Sequence, residues 1–224
     1  MNYIISIIDP AALDKLTDIA KELETAESTV MIGHGTAVPS MLDLLGIKST
    51  ERRVMFTAAT VEKTKAFIKA AKRRLFIGVP GHGIIVAVPI KAIGGGSTLA
   101  YLGSDSAAKY TPELNYKYEL IVAIANEGRT DAVMNAARSA GATGGTVLHG
   151  KGTGNAAAEK FMNVSIAKEK EVILIVARAD QKTEIMREIV TKAGPGSEAG
   201  AIVFSLPTSE VAGFGMFDDD STDK

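Results

Sequence analysis

Gly150, Gly152 and Gly154 stand at alternate positions with Lys151 between the first two, and this is the stretch of the chain best suited to hold an anion. Glycine has no Cβ to keep a ligand off the backbone, so successive N–H groups can turn toward a negative charge, and Lys151 adds a mobile positive one. A glycine-rich turn that only redirects the chain is the competing reading. Gly145 with Gly150-Lys151 also spells GxxxxGK, but Gly152 stands where a P-loop needs Ser or Thr for Mg²⁺, and TVLH between the glycines reads as strand, so that motif is rejected. All three histidines lie in or beside glycine pairs: His34 and His82 in GHG, His149 in HGK. A corner histidine tolerates turn geometry and hydrogen-bonds locally, which is its structural reading. Ser197, His149 and Glu198 supply the residue types of an acyl-transfer triad, but no nucleophile elbow surrounds the serine, and the sequence reads as non-enzymatic.

The elements that must position these residues occur twice. TVMIGHGTA from Thr29 parallels TVLHGKGTG from Thr146, and the offset persists downstream, since 150 − 33 and 200 − 83 both give 117. Units this long make a tandem duplication rather than a solenoid. In the first half, Tyr3 to Ile8 is a buried-strand pattern ended by Asp9-Pro10. Leu13, Leu16, Ile19, Ala20 and Leu23 then form one apolar helical stripe from about Ala11 to Glu24. Thr29 to Ile32 is the next strand, with Gly33-His34-Gly35 as its corner and a short helix from Pro39 to Leu45. Arg53 to Ala59 is a strand and Val61 to Arg74 a helix whose basic end, Lys72-Arg73-Arg74, suits the negative end of the helix dipole. Gly78 to Gly83 makes a second corner before a strand from Ile84 to Ile90. In the second half the equivalent strands are Tyr118 to Ala125, Thr146 to His149, Glu171 to Ala177 and Ala201 to Leu206. Its helices are marked by Val133 to Ala140 and Thr183 to Ala193, with a further short helix from Ala156 to Met162.

Each half is therefore βαββαβ, giving an α+β chain of two tandem ferredoxin-like domains with antiparallel sheets. The domains are 1–93 and 116–217, joined by a linker at 94–115 and followed by an acidic tail at 218–224. Strand residues are apolar on both parities, as in Val172 to Val176, so both sheet faces should be buried.

The 224 residues carry 46% hydrophobic and 23% charged side chains, ordinary for a globular protein. A net charge of −1 and few aromatics exclude a basic or base-stacking nucleic-acid surface. No cysteine is present, which fits a reducing, cytoplasmic compartment, and the run Tyr3 to Ile8 is too short for membrane insertion.

The second half resembles the PII nitrogen-regulatory (signal-transduction) family, and the first half repeats it. TVLHGKGTGN is similar to the family's strand and loop-base segment, roughly TVxxVKGFGxQ, and AGPGSEAGAIVFSLP to its nucleotide loop, TGxIGDGKIFV. The resemblance implies a homotrimer with small anionic effectors, ATP, ADP or a 2-oxo acid, bound in inter-domain clefts, and a regulated protein partner. It places Gly150, Lys151, Gly152, Gly154 and Asn155 at the loop base, and Gly194, Gly196, Ser197 and Gly200 in the nucleotide loop. By the repeat, Gly33, His34, Gly35, Gly81, His82 and Gly83 are the first-half counterparts, and the two corners meeting in one cleft would bring His34 and His82 together as an anion or metal site. The chain departs from the family at Ala201, where the resemblance implies a lysine, and over Val211 to Gly215, where it implies an arginine pair and this chain holds no basic residue. Three positive charges that would balance a triphosphate are therefore absent. Lys151, charged across physiological pH, makes the second half the expected stronger anion site, while a site built on His34 should strengthen as pH falls through about 6.5.

Overall fold

A computed structural model describes residues 1–26, 28–36, 50–79, 81–91, 114–152, 160–161, 164–165 and 169–213. In chain order the elements are β1 (Asn2–Ile8), α1 (Leu13–Glu22), β2 (Thr29–Gly35), β3 (Glu51–Ala59), α2 (Val61–Leu75), β4 (Gly83–Pro89) and β5 (Asn115–Asn126). There follow α3 (Thr130–Ser139), β6 (Thr146–Lys151), β7 (Lys160–Phe161), β8 (Val164–Ser165), β9 (Glu169–Arg178), α4 (Lys182–Ala193), β10 (Ile202–Thr208) and β11 (Glu210–Ala212). The duplication is visible in the boundaries: α1 and α3 begin at 13 and 130 and end at 22 and 139, an offset of 117 at both ends.

The chain divides into two compact units, Met1–Ile32 with Val38–Tyr118 and Pro207–Lys224, and Gly33–Ala37 with Glu119–Leu206. Two short segments thus depart from a simple split into halves. The second part of β2 is counted with the second unit, and the chain from Pro207 with the first.

In the first unit the strand order is β2-β3-β1-β4, the split-βαβ order, with β11 added beyond β4. β1 is antiparallel to both neighbours, Ile4 lying opposite Thr57 on one side and Ala87 on the other. Asp9 opens the way to α1: its Oδ1 accepts from Ala11 N at 2.9 Å, and Pro10–Ala12 forms a 3₁₀ turn. Helix α1 buries Leu16, Ile19 and Ala20 against Ile4, Ile8, Met55, Phe67 and Ile85, and each fully buried large side chain contributes about 1.5–3 kcal/mol. Thr60 Oγ1 accepts from Lys63 N at 3.3 Å to cap α2.

In the second unit the order is β10-β5-β9-β6, with Gly33–Gly35 of β2 antiparallel on β6. Helices α3 and α4 pack Val133, Met134, Ile185 and Ile189 against Ile121, Ala123, Ile173 and Ile175. In β9, Ile173, Leu174, Ile175 and Val176 are all buried, so both parities are covered there, but Val30, Met31 and Ile32 of β2 and Ile202 and Phe204 of β10 are exposed, so the expected burial of both faces does not extend to those strands.

Three local expectations need correction. Gly33-His34-Gly35 is not a corner but strand: Gly33 lies opposite Leu148 and Gly35 opposite Thr146. A glycine inside a strand marks close approach of another backbone as readily as a turn. For the same reason β6 does not stop at His149 but runs on, Gly150 opposite Lys170 and Lys151 opposite Glu169. In the stretch expected to be helical from Ala156 to Met162, Lys160–Phe161 is strand, its backbone antiparallel to Val164–Ser165. The helix expected at Pro39 to Leu45, nearly all of the 94–115 linker and the 218–224 tail lie outside the described residues. β11 was not foreseen.

Candidate functional site

In the first unit, α2 ends with Phe76 in the left-handed region at φ 54, and Gly78, Gly81 and Gly83 take φ of 124, 88 and 132, so the corner there is a true turn. His82 N donates to Val79 O at 3.1 Å, and His82 Nδ1 lies 3.2 Å from Leu75 O. A carbonyl only accepts, so Nδ1 is the donor in this contact. The Phe76 ring meets His82 edge-on at 6.2 Å. Beside this corner opens a cavity of about 440 Å³ lined by Asp9, Lys15, Arg74, Phe76, Gly81 and His82 among others. Lys15 makes no hydrogen bond or ion pair among the described residues. Arg74 holds both oxygens of Glu22, at 2.8 and 2.7 Å, and this hydrogen-bonded pairing keeps the Glu22 carboxyl below the usual carboxylate range. The cavity therefore presents the Lys15 cation, the Glu22-paired Arg74, the Asp9 carboxylate, a histidine and an exposed aromatic ring, and Lys15 is the group there that can receive a small anion.

In the second unit the loop after α4 closes on itself. Gly194 N donates to Val190 O, Ser197 N and Oγ to Gly194 O, Ala199 N to Ser197 Oγ, Gly200 N to Ser197 O, and Ala201 N to Ala193 O at 2.8 Å. Gly194 is required, since a Cβ there would stand 2.2 Å from Val190 O, whereas Gly196 faces open space. Asn126 fastens the loop from β5: its N donates to Ala199 O at 2.9 Å and its Nδ2 to Glu198 O at 3.0 Å. Arg129 Nη2 pairs with Glu198 Oε2 at 2.8 Å. Most backbone donors of the loop are thus engaged within the protein, and its shape is set in advance.

At the loop base Gly150 and Lys151 are ladder residues, Lys151 Nζ lying 3.6 Å from Glu169 Oε1, and Gly152 follows directly. Gly154 and Asn155 lie outside the described residues. His34 and His82 fall in different compact units, and the ring beside His34 is that of His149, 6.0 Å away. Among the described residues no three His, Asp or Glu side chains converge as a metal cluster, and no helix is long and apolar enough to cross a membrane.

Sequence reasoning missed Glu171. It is 4% exposed, and its carboxylate accepts from Gly128 N at 3.0 Å, Arg129 N at 3.1 Å, Thr130 N at 2.8 Å and Thr130 Oγ1 at 2.8 Å, capping α3 from β9. Burial opposes ionisation, but the Thr130 hydroxyl and the three backbone donors outweigh it and hold the carboxyl below its ordinary value. The glutamate that directly abuts the apolar run VILIVA, with no capping side chain at the start of α3, was the available signal.

Two βαββαβ units in split-βαβ order define a ferredoxin-like α+β protein. Residues 118–214 match the family model of the Nitrogen regulatory protein P-II. No curated protein sequence matches the chain. Among solved structures it is similar to Arabidopsis thaliana PII bound to citrate (24% identity, 42% of this chain and 78% of that one, TM-score 0.34). It is also similar to the B. subtilis GlnK–ATP complex (16% identity, 44% and 95%, TM-score 0.33). An unknown protein from Galdieria sulphuraria matches along most of both chains (12% identity, 92% and 97%, TM-score 0.28).

Proposed function

We propose that this chain is a PII-like, non-enzymatic regulatory protein that binds a small anionic metabolite or nucleotide at its glycine loops and reports it to a protein partner. The observation that carries the reading is the P-II match over residues 118–214. The cavity beside Gly81 and His82, the repeat counterparts of the Glu198 to Gly200 loop, adds a place for the ligand, with Lys15 as its unpaired charge. In the second unit Gly194, Gly196, Ser197 and Gly200 form a preset loop that leaves little backbone for a triphosphate, and Ala201 adds no charge. A compact anion such as bicarbonate or a 2-oxo acid therefore suits the chain better than ATP. A cytoplasmic homotrimer is the assembly this reading entails. Calorimetric titration of the full chain with ATP, ADP, cyclic dinucleotides, bicarbonate and 2-oxo acids tests it: saturable heat from one of them, weakened by Lys15→Ala, supports the reading, and no heat from any overturns it. Sedimentation equilibrium tests the assembly, and a monomer mass would exclude the trimer.

A further inference from the structure

We propose that His34 and His149 form a two-histidine site in the second unit for a late first-row transition-metal cation, Zn²⁺, Ni²⁺ or Cu²⁺. The register of β2 on β6 sets His34 opposite Val147, and His149 follows two residues later, so both side chains leave the ladder on one face as diagonal cross-strand neighbours. Both are exposed and their rings lie 6.0 Å apart at 72°. Imidazole nitrogen binds Zn²⁺ at about 2.0–2.1 Å and the ring centre lies about 1.1 Å behind it, so rings sharing one ion have centres no more than about 6.4 Å apart. The observed spacing fits an obtuse nitrogen–metal–nitrogen angle.

The neighbours on that face leave the pair as the donors. Glu171, opposite His149, is committed to the start of α3, and Lys151, two residues beyond His149, is paired with Glu169 at 3.6 Å. No third His, Asp or Glu joins them among the described residues. Two neutral imidazoles select late transition metals and not Mg²⁺ or Ca²⁺, which take oxygen donors. The site is independent of the anion-binding reading above.

The test is calorimetric titration of the EDTA-treated full chain with ZnCl₂ and NiCl₂. One ion should bind per chain, the event should vanish in His34→Ala and in His149→Ala and persist in His82→Ala, and MgCl₂ should give no heat. Histidine ring NMR of the unsubstituted chain gives a readout that no folding defect can mimic: Zn²⁺ should move the His34 and His149 signals and leave His82 in place. Absence of saturable binding, binding that survives either substitution, or a shift confined to His82 overturns the proposal.

Discussion

Thr130 gives the Glu171 carboxylate two hydrogen bonds, from its N and its Oγ1, both at 2.8 Å, and so joins the first residue of α3 to the middle strand of its own sheet. The helix start has no local side-chain cap, so its orphan N–H groups depend on this distant carboxylate. Glu171→Gln should lower stability at pH 7 by about 1–3 kcal/mol, the cost of losing charge-assisted bonds at a buried site. Because the folded carboxyl is held below its ordinary value, its contribution is full above about pH 4.3, the unfolded value, and is lost as pH falls through the folded one. Urea midpoints of the two proteins should therefore differ widely at pH 7 and converge in acid. A gap of constant size from pH 7 to pH 3 would contradict the assignment.

Gly194 and Gly196 sit two residues apart and should respond oppositely to alanine. The Cβ of Gly194→Ala would press into Val190 O at 2.2 Å, forcing the end of α4 to move at a cost of about 1–3 kcal/mol. Nothing lies within 4 Å of the position in Gly196→Ala, which should stay within about 0.5 kcal/mol of the unsubstituted protein. Thermal melts decide it, and equal losses would show that the loop is less fixed than its hydrogen bonds imply.

The four main strands and two helices of each half were legible because their apolar periodicities are strong and because the repeat supplies each pattern twice. What was not legible depends on partners distant in sequence. Glycines at 33, 35 and 150 carry a turn signal locally, yet opposite Leu148, Thr146 and Lys170 they are ladder residues. β11 has three residues and forms because Val86 and its neighbours on β4 offer an open edge. At the candidate site, the Gly78 to Gly83 turn was visible from its glycines. Lys15 was not, since on its own helix it is an ordinary exposed lysine and only the fold brings it to the cavity that His82 also lines.

Glu22 should act as a brake on anion binding in the first-unit cavity. It neutralises Arg74, which lines that cavity, through two hydrogen bonds. Glu22→Gln removes the negative charge and leaves the guanidinium free to face a ligand. Affinity for the anion found by titration should then rise and fall more steeply with added salt. Unchanged affinity and salt dependence would place the ligand elsewhere.

The last prediction concerns Gly213, where the chain leaves β11. Its φ of 88 is unfavourable for any side chain, and a Cβ would stand 2.3 Å from Gly83 O and 3.1 Å from Ile84 Cα, a backbone contact that cannot yield cheaply. Ahead of it, Glu210, Val211 and Ala212 pair with Ala87, Val86 and Ile85, Ser209 N donates to Ala87 O at 2.8 Å, and Ser209 Oγ donates to Asn2 Oδ1 at 3.0 Å. Ala212 is fully buried in the first-unit core. Gly213→Val should therefore lift β11 from β4 and turn β4 into an exposed edge, while β1 on its other side keeps its ladder. Hydrogen exchange reads this directly: amides of Ile85 to Ala87 that face β11 should lose protection, while those of Ile4 to Ile7 paired with β3 should keep theirs. Unchanged protection across Ile85 to Ala87 would mean that β11 contributes nothing to the edge it covers, and a uniform loss over both strands would mean that it belongs to the cooperative core of the unit.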